Sequence, residues 1–132
     1  MTTAFYAGLL TIVFIVLSFR VIAKRNQYKV ALGSNGQELL QRAVRVHANF
    51  AEYVPFALLL MFLAEYSGLA PMYLHVMGIA LFIGRLSHAY GVSQQPEPLK
   101  FRVFGMVLTL LVMLLAAMAS IVLYALRSGW LT

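Results

Sequence analysis

The sequence contains no cysteine among its 132 residues. This absence excludes structural disulfides, thiolate metal sites and a nucleophilic thiol belonging to the protein. Any thiol chemistry would therefore have to use a thiol carried by a substrate. Charged residues are also scarce, at 11% of the chain. A soluble domain is about a quarter charged, so this chain has too few polar residues to cover a surface facing water.

Apolar residues dominate instead, at 62% of the chain. A helix needs about 20 apolar residues to cross a hydrocarbon core about 30 Å thick. The sequence therefore predicts an all-α integral membrane protein that forms a four-helix bundle and one domain over residues 1–132. The four spans are expected at about residues 3–23, 40–66, 71–91 and 101–126.

The ten lysines and arginines indicate an orientation in the membrane. Nine of them flank the first and third connections, and the tenth is Arg127. Loops rich in Lys and Arg stay in the cytoplasm, so both termini are expected on the non-cytoplasmic side. Orientation and attraction to anionic lipid headgroups account for most of the net charge of +6. No motif indicates nucleic-acid binding.

The segment "RVHANFAEYVPF", residues 45–56, carries more polar groups than a membrane helix needs. At 100° per residue, Arg45, Asn49 and Glu52 fall within about 60° of one another, and Tyr53 extends the same face. Charges at membrane depth are costly, and they usually face a bundle interior or a wet cavity. The segment therefore indicates either a binding pocket or an internal ion pair between Arg45 and Glu52 that fixes helix register.

Further polar groups lie at the cytoplasmic ends of the later spans. Arg85 and His88 are one turn apart on one face of the third span, and the fourth begins with Lys100 and Arg102. We expect these groups to join the polar face of the second span in one pocket near the inner interface, with Glu52 as its only acid. In a structural alternative, the arginines reach lipid phosphates instead.

Two motifs carry a resemblance to a known family. The spacing R-x-x-x-N-x-x-E-x-x-P, which starts at Arg45, resembles the signature of the membrane-associated proteins in eicosanoid and glutathione metabolism, or MAPEG family. The R-x-x-H that starts at Arg85 resembles the third helix of its glutathione transferase and prostaglandin E synthase branch. In length and in the stretches "QYKVALG" and "GRLSHAYG", the chain looks most like small bacterial inner-membrane members.

The resemblance implies a homotrimer that binds glutathione, as cosubstrate, between subunits near the cytoplasmic face. The residues that match glutathione contacts by position are Arg45, Asn49, Glu52, Tyr53, Arg85 and His88. Arg102 is the nearest match to a fourth-helix arginine that activates the thiol, and Lys100 is the other candidate. No metal site is expected.

The activity implied is that of a glutathione-dependent transferase or peroxidase acting on a lipophilic electrophile from the bilayer. The alternative is a non-catalytic lipid- or glutathione-binding protein of the same fold, because Val92 stands where a further tyrosine is expected. A drug–proton antiporter is disfavoured because residues 3–19 contain no acid. The expected partners are membrane lipids, glutathione, a lipophilic small molecule and two further copies, in a bacterial inner membrane.

The orientation can be tested with reporter fusions. Fusions after Thr132 should report a non-cytoplasmic location, and fusions near Ser34 or Gln95 a cytoplasmic one, because the cationic loops stay inside. A reporter active in both compartments serves as the control for expression. The reverse pattern would place the polar pocket on the other side of the membrane.

Overall fold

The computed structural model describes residues 1–129 and contains four helices: α1 Thr2–Tyr28, α2 Glu38–Tyr66, α3 Pro71–Ser93 and α4 Leu99–Arg127. The prediction of an all-α four-helix chain is confirmed, and residues 130–132 of the predicted domain lie outside the described part. By length and composition, α1, α2 and α4 are able to cross a membrane. The described helix α3, where a span is expected at about residues 71–91, is not among them, and its sequence includes Arg85, His75 and His88.

Helix α2 lies at the centre of the bundle and contacts the other three helices. The closest packing is between α3 and α4, whereas α1 contacts α2 and α3 but not α4. Leu10, Met61, Leu81 and Val112 are buried where these helices meet. Large apolar side chains such as Phe19 lie exposed on the outside of the bundle, which suits a surface that faces lipid.

The start of α1 is fixed by an acid from α2. α1 has no capping side chain of its own at Met1. Instead, the Glu65 carboxylate accepts hydrogen bonds from the backbone N–H groups of Thr2 and Thr3, the latter at 2.9 Å. These N–H groups have no partner within the helix, and a carboxylate complements the positive end of the helix dipole. Glu65 therefore anchors α1 to the far end of α2.

Two histidines tie α1 to its neighbours along its length. His47 of α2 lies 3.1 Å from the Ser18 hydroxyl and stacks on the Phe14 ring, with 4.7 Å between ring centroids. Near the other end, the Tyr6 hydroxyl lies 3.0 Å from Nδ1 of His75 on α3. Such hydrogen bonds between helices add specificity where lipid provides no hydrophobic driving force.

Glycines bring α3 and α4 to backbone contact. A Cβ atom on Gly105 would collide with the carbonyl oxygen of Gly84 and lie 2.6 Å from the backbone nitrogen of His88. A Cβ on Gly91 would lie 2.7 Å from the backbone nitrogen of Arg102. Small residues allow this approach of membrane helices. The approach sets the start of α4 against the end of α3, where the polar residues cluster.

Gly105→Ala should destabilise the protein by about 1–3 kcal/mol, because an added methyl group overpacks the α3–α4 contact. Gly8→Ala is the matched control, since no atom outside its own helix backbone lies within 4 Å of the added Cβ. Alanine there should be neutral or stabilising by up to about 1 kcal/mol. Both are measured as unfolding free energies in mild detergent. Equal stability of the two variants would show that the close approach is not required.

Candidate functional site

The Arg85 guanidinium is buried where α2, α3 and α4 meet. Arg85 is only 1% exposed. Nη2 donates a hydrogen bond of 2.6 Å to Oδ1 of Asn49, and Nη1 lies 3.4 Å from the Thr109 hydroxyl. The guanidinium carbon also lies 5.7 Å from the centre of the Phe50 ring, within range of a cation–π interaction. Three helices thus converge on one cation.

The positive charge of Arg85 is solvated by neutral groups. His88 Nδ1 lies 3.4 Å from Nη2, and the Met106 sulfur lies 3.8 Å from Nη1. Within residues 1–129, no carboxylate pairs with Arg85, and its Nε has no hydrogen-bond partner. A buried charge without a counter-ion is costly. The cluster therefore favours an anion in its vicinity.

A polar cavity of about 200 Å³ lies where α2 and α4 begin and α3 ends. Its lining comes from the start of α2, the end of α3, the following loop and the start of α4: Glu38, Gln41, Arg42, Arg45, Val92, Glu97 and Arg102. Arg45 is one helical turn from Asn49, so the cavity lies about 6 Å along α2 from the buried cluster. The cavity and the buried cluster around Arg85 therefore form two consecutive polar layers along α2.

Glu97 links the arginines of the cavity. Its Oε2 lies 3.2 Å from Nη1 of Arg42, and its Oε1 lies 3.1 Å from Nη1 of Arg102. Arg42 also pairs with Glu38 at 3.0 Å and donates to the Val92 carbonyl. The hydrogen bond from Arg42, with that from Arg102, holds the pKa of Glu97 below its usual range.

The expectation that Glu52 is the only acid of this pocket is wrong. Glu97 and Glu38 both line the cavity, whereas Glu52 does not. The three residues between the end of α3 and Glu97 belong to a loop at the helix ends, and periodicity along a helix gives no information on such a loop. The single cue in the sequence was an acid close to Lys100 and Arg102.

The polar face of α2 divides between the interior and the surface. Asn49 turns to Arg85, and Tyr53 is half-buried and close enough to Arg85 to interact with it electrostatically. Arg45 and Glu52 are exposed. They do not pair with each other, and neither forms an ion pair with another residue in the described part of the chain. The alternative of an internal Arg45–Glu52 pair is therefore wrong for a single subunit.

The structure thus brings the predicted residues into two groups and leaves one apart. Asn49, Arg85 and His88 form the buried cluster, with Tyr53 beside it, while Arg45 and Arg102 line the cavity. Glu52 belongs to neither group. Sequence reasoning missed the cavity acids Glu97 and Glu38 and, beside Arg85, the α4 residues Thr109 and Met106. The last two face Arg85 only because α4 lies so close to α3.

The ion pairs of Glu97 should make stability depend on pH. Because the folded-state pKa of Glu97 lies below the ordinary value of 4.5, the pairs stabilise the protein above that pH. Their contribution is lost as the pH falls through the folded-state pKa. Glu97→Gln should lower stability by about 1 kcal/mol near pH 7, and the difference from wild type should shrink as the pH falls below 4.5.

The measurement is the unfolding midpoint of the detergent-solubilised protein between about pH 7 and pH 3. Glu38→Gln is the control, because its side chain is 53% exposed and pairs with Arg42 alone. It should show a smaller difference at neutral pH. A constant gap between Glu97→Gln and wild type at all pH values would contradict the ionic role of Glu97.

The sequence matches a known protein family over most of its length. The sequence pattern of the MAPEG family matches residues 3–122. Two relatives, both called inner membrane protein YecN, come from Escherichia coli strain K12 and Escherichia coli O6:H1 strain CFT073. Each is 38% identical over 121 residues, which cover 92% of this chain and 91% of the relative. The chain is a membrane protein that belongs to the MAPEG family.

Proposed function

We propose that this protein is a glutathione-dependent transferase or peroxidase of the bacterial inner membrane. In this proposal it is a homotrimer with both termini on the non-cytoplasmic side. Glutathione binds between subunits near the cytoplasmic face, and the second substrate is a lipophilic electrophile that enters from the bilayer. The inner-membrane name of the two relatives supports the choice of membrane. The excess of Lys and Arg around the first and third connections supports the orientation.

The observation that carries the proposal is the unpaired charge on the exposed face of α2. Glu52 lies about 21 Å along the helix from Glu38, near the middle of α2, and it is exposed without an ion-pair partner in residues 1–129. Exposure to lipid would cost about 2.5–3.5 kcal/mol for such a group on insertion scales. A neighbouring subunit and a charged ligand at this face would remove that cost.

The groups on this face suit the two ends of glutathione. Guanidinium groups hold carboxylates through paired hydrogen bonds, so Arg45 on this face suits one carboxylate. The unneutralised Arg85, which is buried behind Asn49, suits the other carboxylate if that end of the ligand reaches into the bundle. Glu52 suits the ammonium group, since the acids of the cavity are already paired with arginines. Asn49 can donate to the peptide through its amide nitrogen while its oxygen stays on Arg85.

Arg102 is the residue proposed to activate the thiol. A free thiol has a pKa near 8.5, and a nearby guanidinium favours the thiolate. Lowering this pKa by about two units requires about 2.7 kcal/mol. In the transferase reaction the thiolate sulfur forms a bond to an electrophilic carbon, and the leaving group departs with the bonding electron pair. Because Arg102 also pairs with Glu97, its positive charge would be divided between the Glu97 carboxylate and the thiolate.

A specific observation favours the second candidate, a non-catalytic glutathione- or lipid-binding protein. The Glu97 carboxylate already takes one hydrogen bond from Arg102, which reduces the positive charge available to a thiol. Val92 lines the cavity where a tyrosine hydroxyl was expected. Under this alternative, glutathione binds but its thiol keeps its ordinary pKa.

The test is thermal stability of the purified protein with and without millimolar glutathione, since binding raises stability by mass action. Glu52→Gln and Arg45→Ala should each weaken glutathione binding by about 1.5–3 kcal/mol, because each removes a charge-assisted hydrogen bond. Arg102→Ala should keep most of the binding and reduce thiolate absorbance near neutral pH. Lys29→Gln is the control for loss of a cytoplasmic charge outside the cavity.

Four outcomes decide between the readings. If glutathione does not stabilise the wild-type protein, both the enzyme and the non-catalytic glutathione-binding protein are refuted. Stabilisation without thiolate below the free thiol's pKa would leave the non-catalytic binder. A loss of folding in Glu52→Gln with no change in ligand affinity would make that residue structural. Native mass spectrometry of the same samples should show trimers, and a stable monomer that still binds glutathione would remove the site between subunits.

A further inference from the structure

A second concave surface lies between α1 and α3, away from the arginine-lined cavity. It encloses about 480 Å³, and its walls are formed by apolar side chains including Val16, Leu86 and Ala89. Arg20 and Ser93 lie at one end of this groove. The groove is therefore apolar along its length and cationic at one end.

Arg20 has no acidic partner. Its side chain is exposed, and its Nη1 donates a 3.0 Å hydrogen bond to the neutral hydroxyl of Ser93. Among residues 1–129, Arg20 forms no ion pair. Most of its donors therefore remain available to an anion. The hydrogen bond to Ser93 orients the guanidinium over the mouth of the groove.

The depth of Arg20 matches that of a lipid phosphate. Its position is about 27 Å along α1 from Thr2, close to the thickness of about 30 Å of a hydrocarbon core. If α1 begins at the outer edge of that core, Arg20 lies at the inner edge. From there the groove extends back along α1 as far as Ile12, which is about 12 Å into the bilayer.

We propose that the α1–α3 groove is a binding site for one anionic phospholipid. The phosphate binds the Arg20 guanidinium, and one acyl chain lies along the apolar walls toward Ile12. Charge complementarity selects an anionic headgroup, because the groove offers a guanidinium and lacks an acid that would repel it. The proposal concerns a different face from the glutathione site and does not depend on it.

The distribution of acids argues against a second copy of this chain as the occupant. A second copy would have to bring a carboxylate to Arg20, and the sequence has four acids. Glu38 and Glu97 are bound to arginines, and Glu65 is bound to the start of α1. The remaining acid, Glu52, lies near the middle of its helix rather than at the depth of Arg20. A lipid phosphate supplies the anionic partner that Arg20 lacks.

The test is lipid retention by native mass spectrometry of the intact protein in mild detergent. Phosphatidylglycerol and phosphatidylcholine with the same acyl chains are titrated separately. Wild type should retain phosphatidylglycerol more tightly than phosphatidylcholine. Arg20→Gln should weaken phosphatidylglycerol about five- to tenfold, since it removes one interfacial charge and its hydrogen bonds. Lys29→Gln, which removes a charge on the same side of the membrane, should change retention by less than about twofold.

A second variant tests the groove without altering charge. Val16 is 54% exposed and lines the groove, so Val16→Phe fills part of the acyl site without overpacking the core. It should weaken both lipids while leaving the unfolding midpoint near that of wild type. Midpoints and circular dichroism are recorded for every variant, so that loss of folding is separated from loss of binding.

Three results would overturn the proposal. The first is equal retention of the two lipids by wild type, which indicates general lipid contact. The second is an equal effect of Arg20→Gln and Lys29→Gln on phosphatidylglycerol. The third is a wild type that retains no lipid while Val16→Phe dissociates the oligomer, which would assign the groove to a second copy of the chain.

Discussion

A guanidinium buried without a carboxylate is the constraint around which this bundle is arranged. Arg85 would be unstable in hydrocarbon, so the helices that surround α3 must supply polar groups at its depth. Asn49 on α2 and Thr109 on α4 do so, and both contact Nη atoms of the same side chain. The hydrogen bonds therefore fix the rotation of α2 and α4 relative to α3, since either helix turned away would leave donors unpaired.

This solvation of Arg85 requires close helices, and glycines provide the space. Gly84 and Gly105 let the backbones of α3 and α4 touch, which brings the Thr109 hydroxyl to 3.4 Å from Arg85. Thr109 also donates to the Gly105 carbonyl, so its oxygen lone pairs face the guanidinium. The packing of small residues and the polar cluster thus depend on each other.

The arginines toward this end of the bundle differ in their partners. Arg42 and Arg102 share Glu97, Arg85 is surrounded by neutral groups, and Arg20 contacts only a serine hydroxyl through hydrogen bonds in the described structure. A bound anion would therefore stabilise the unpaired arginines more than the arginines that already have a carboxylate partner. These differences distinguish the proposed ligand site beside α2 from the proposed lipid site beside α1, although both lie toward the same end of the bundle.

The sequence by itself determined the membrane class, the four helices and the face shared by Arg45, Asn49 and Glu52. These features follow from composition and from the 100° repeat, which depend only on neighbours along the chain. It also placed Arg85 and His88 on one face, one turn apart. Tertiary structure alone decided that Asn49 turns inward while Glu52 remains outside.

Tertiary structure also decided that Glu97 pairs with Arg42 in the cavity while Glu52 lies outside it, and that Glu65 binds the start of α1. Both contacts join residues far apart in the sequence through a loop or a helix end, where no periodic pattern applies. The same holds for Thr109, whose distance from Arg85 depends on how closely two backbones approach. Local periodicity fixes which side of a helix a residue occupies, whereas packing between helices decides what lies opposite it.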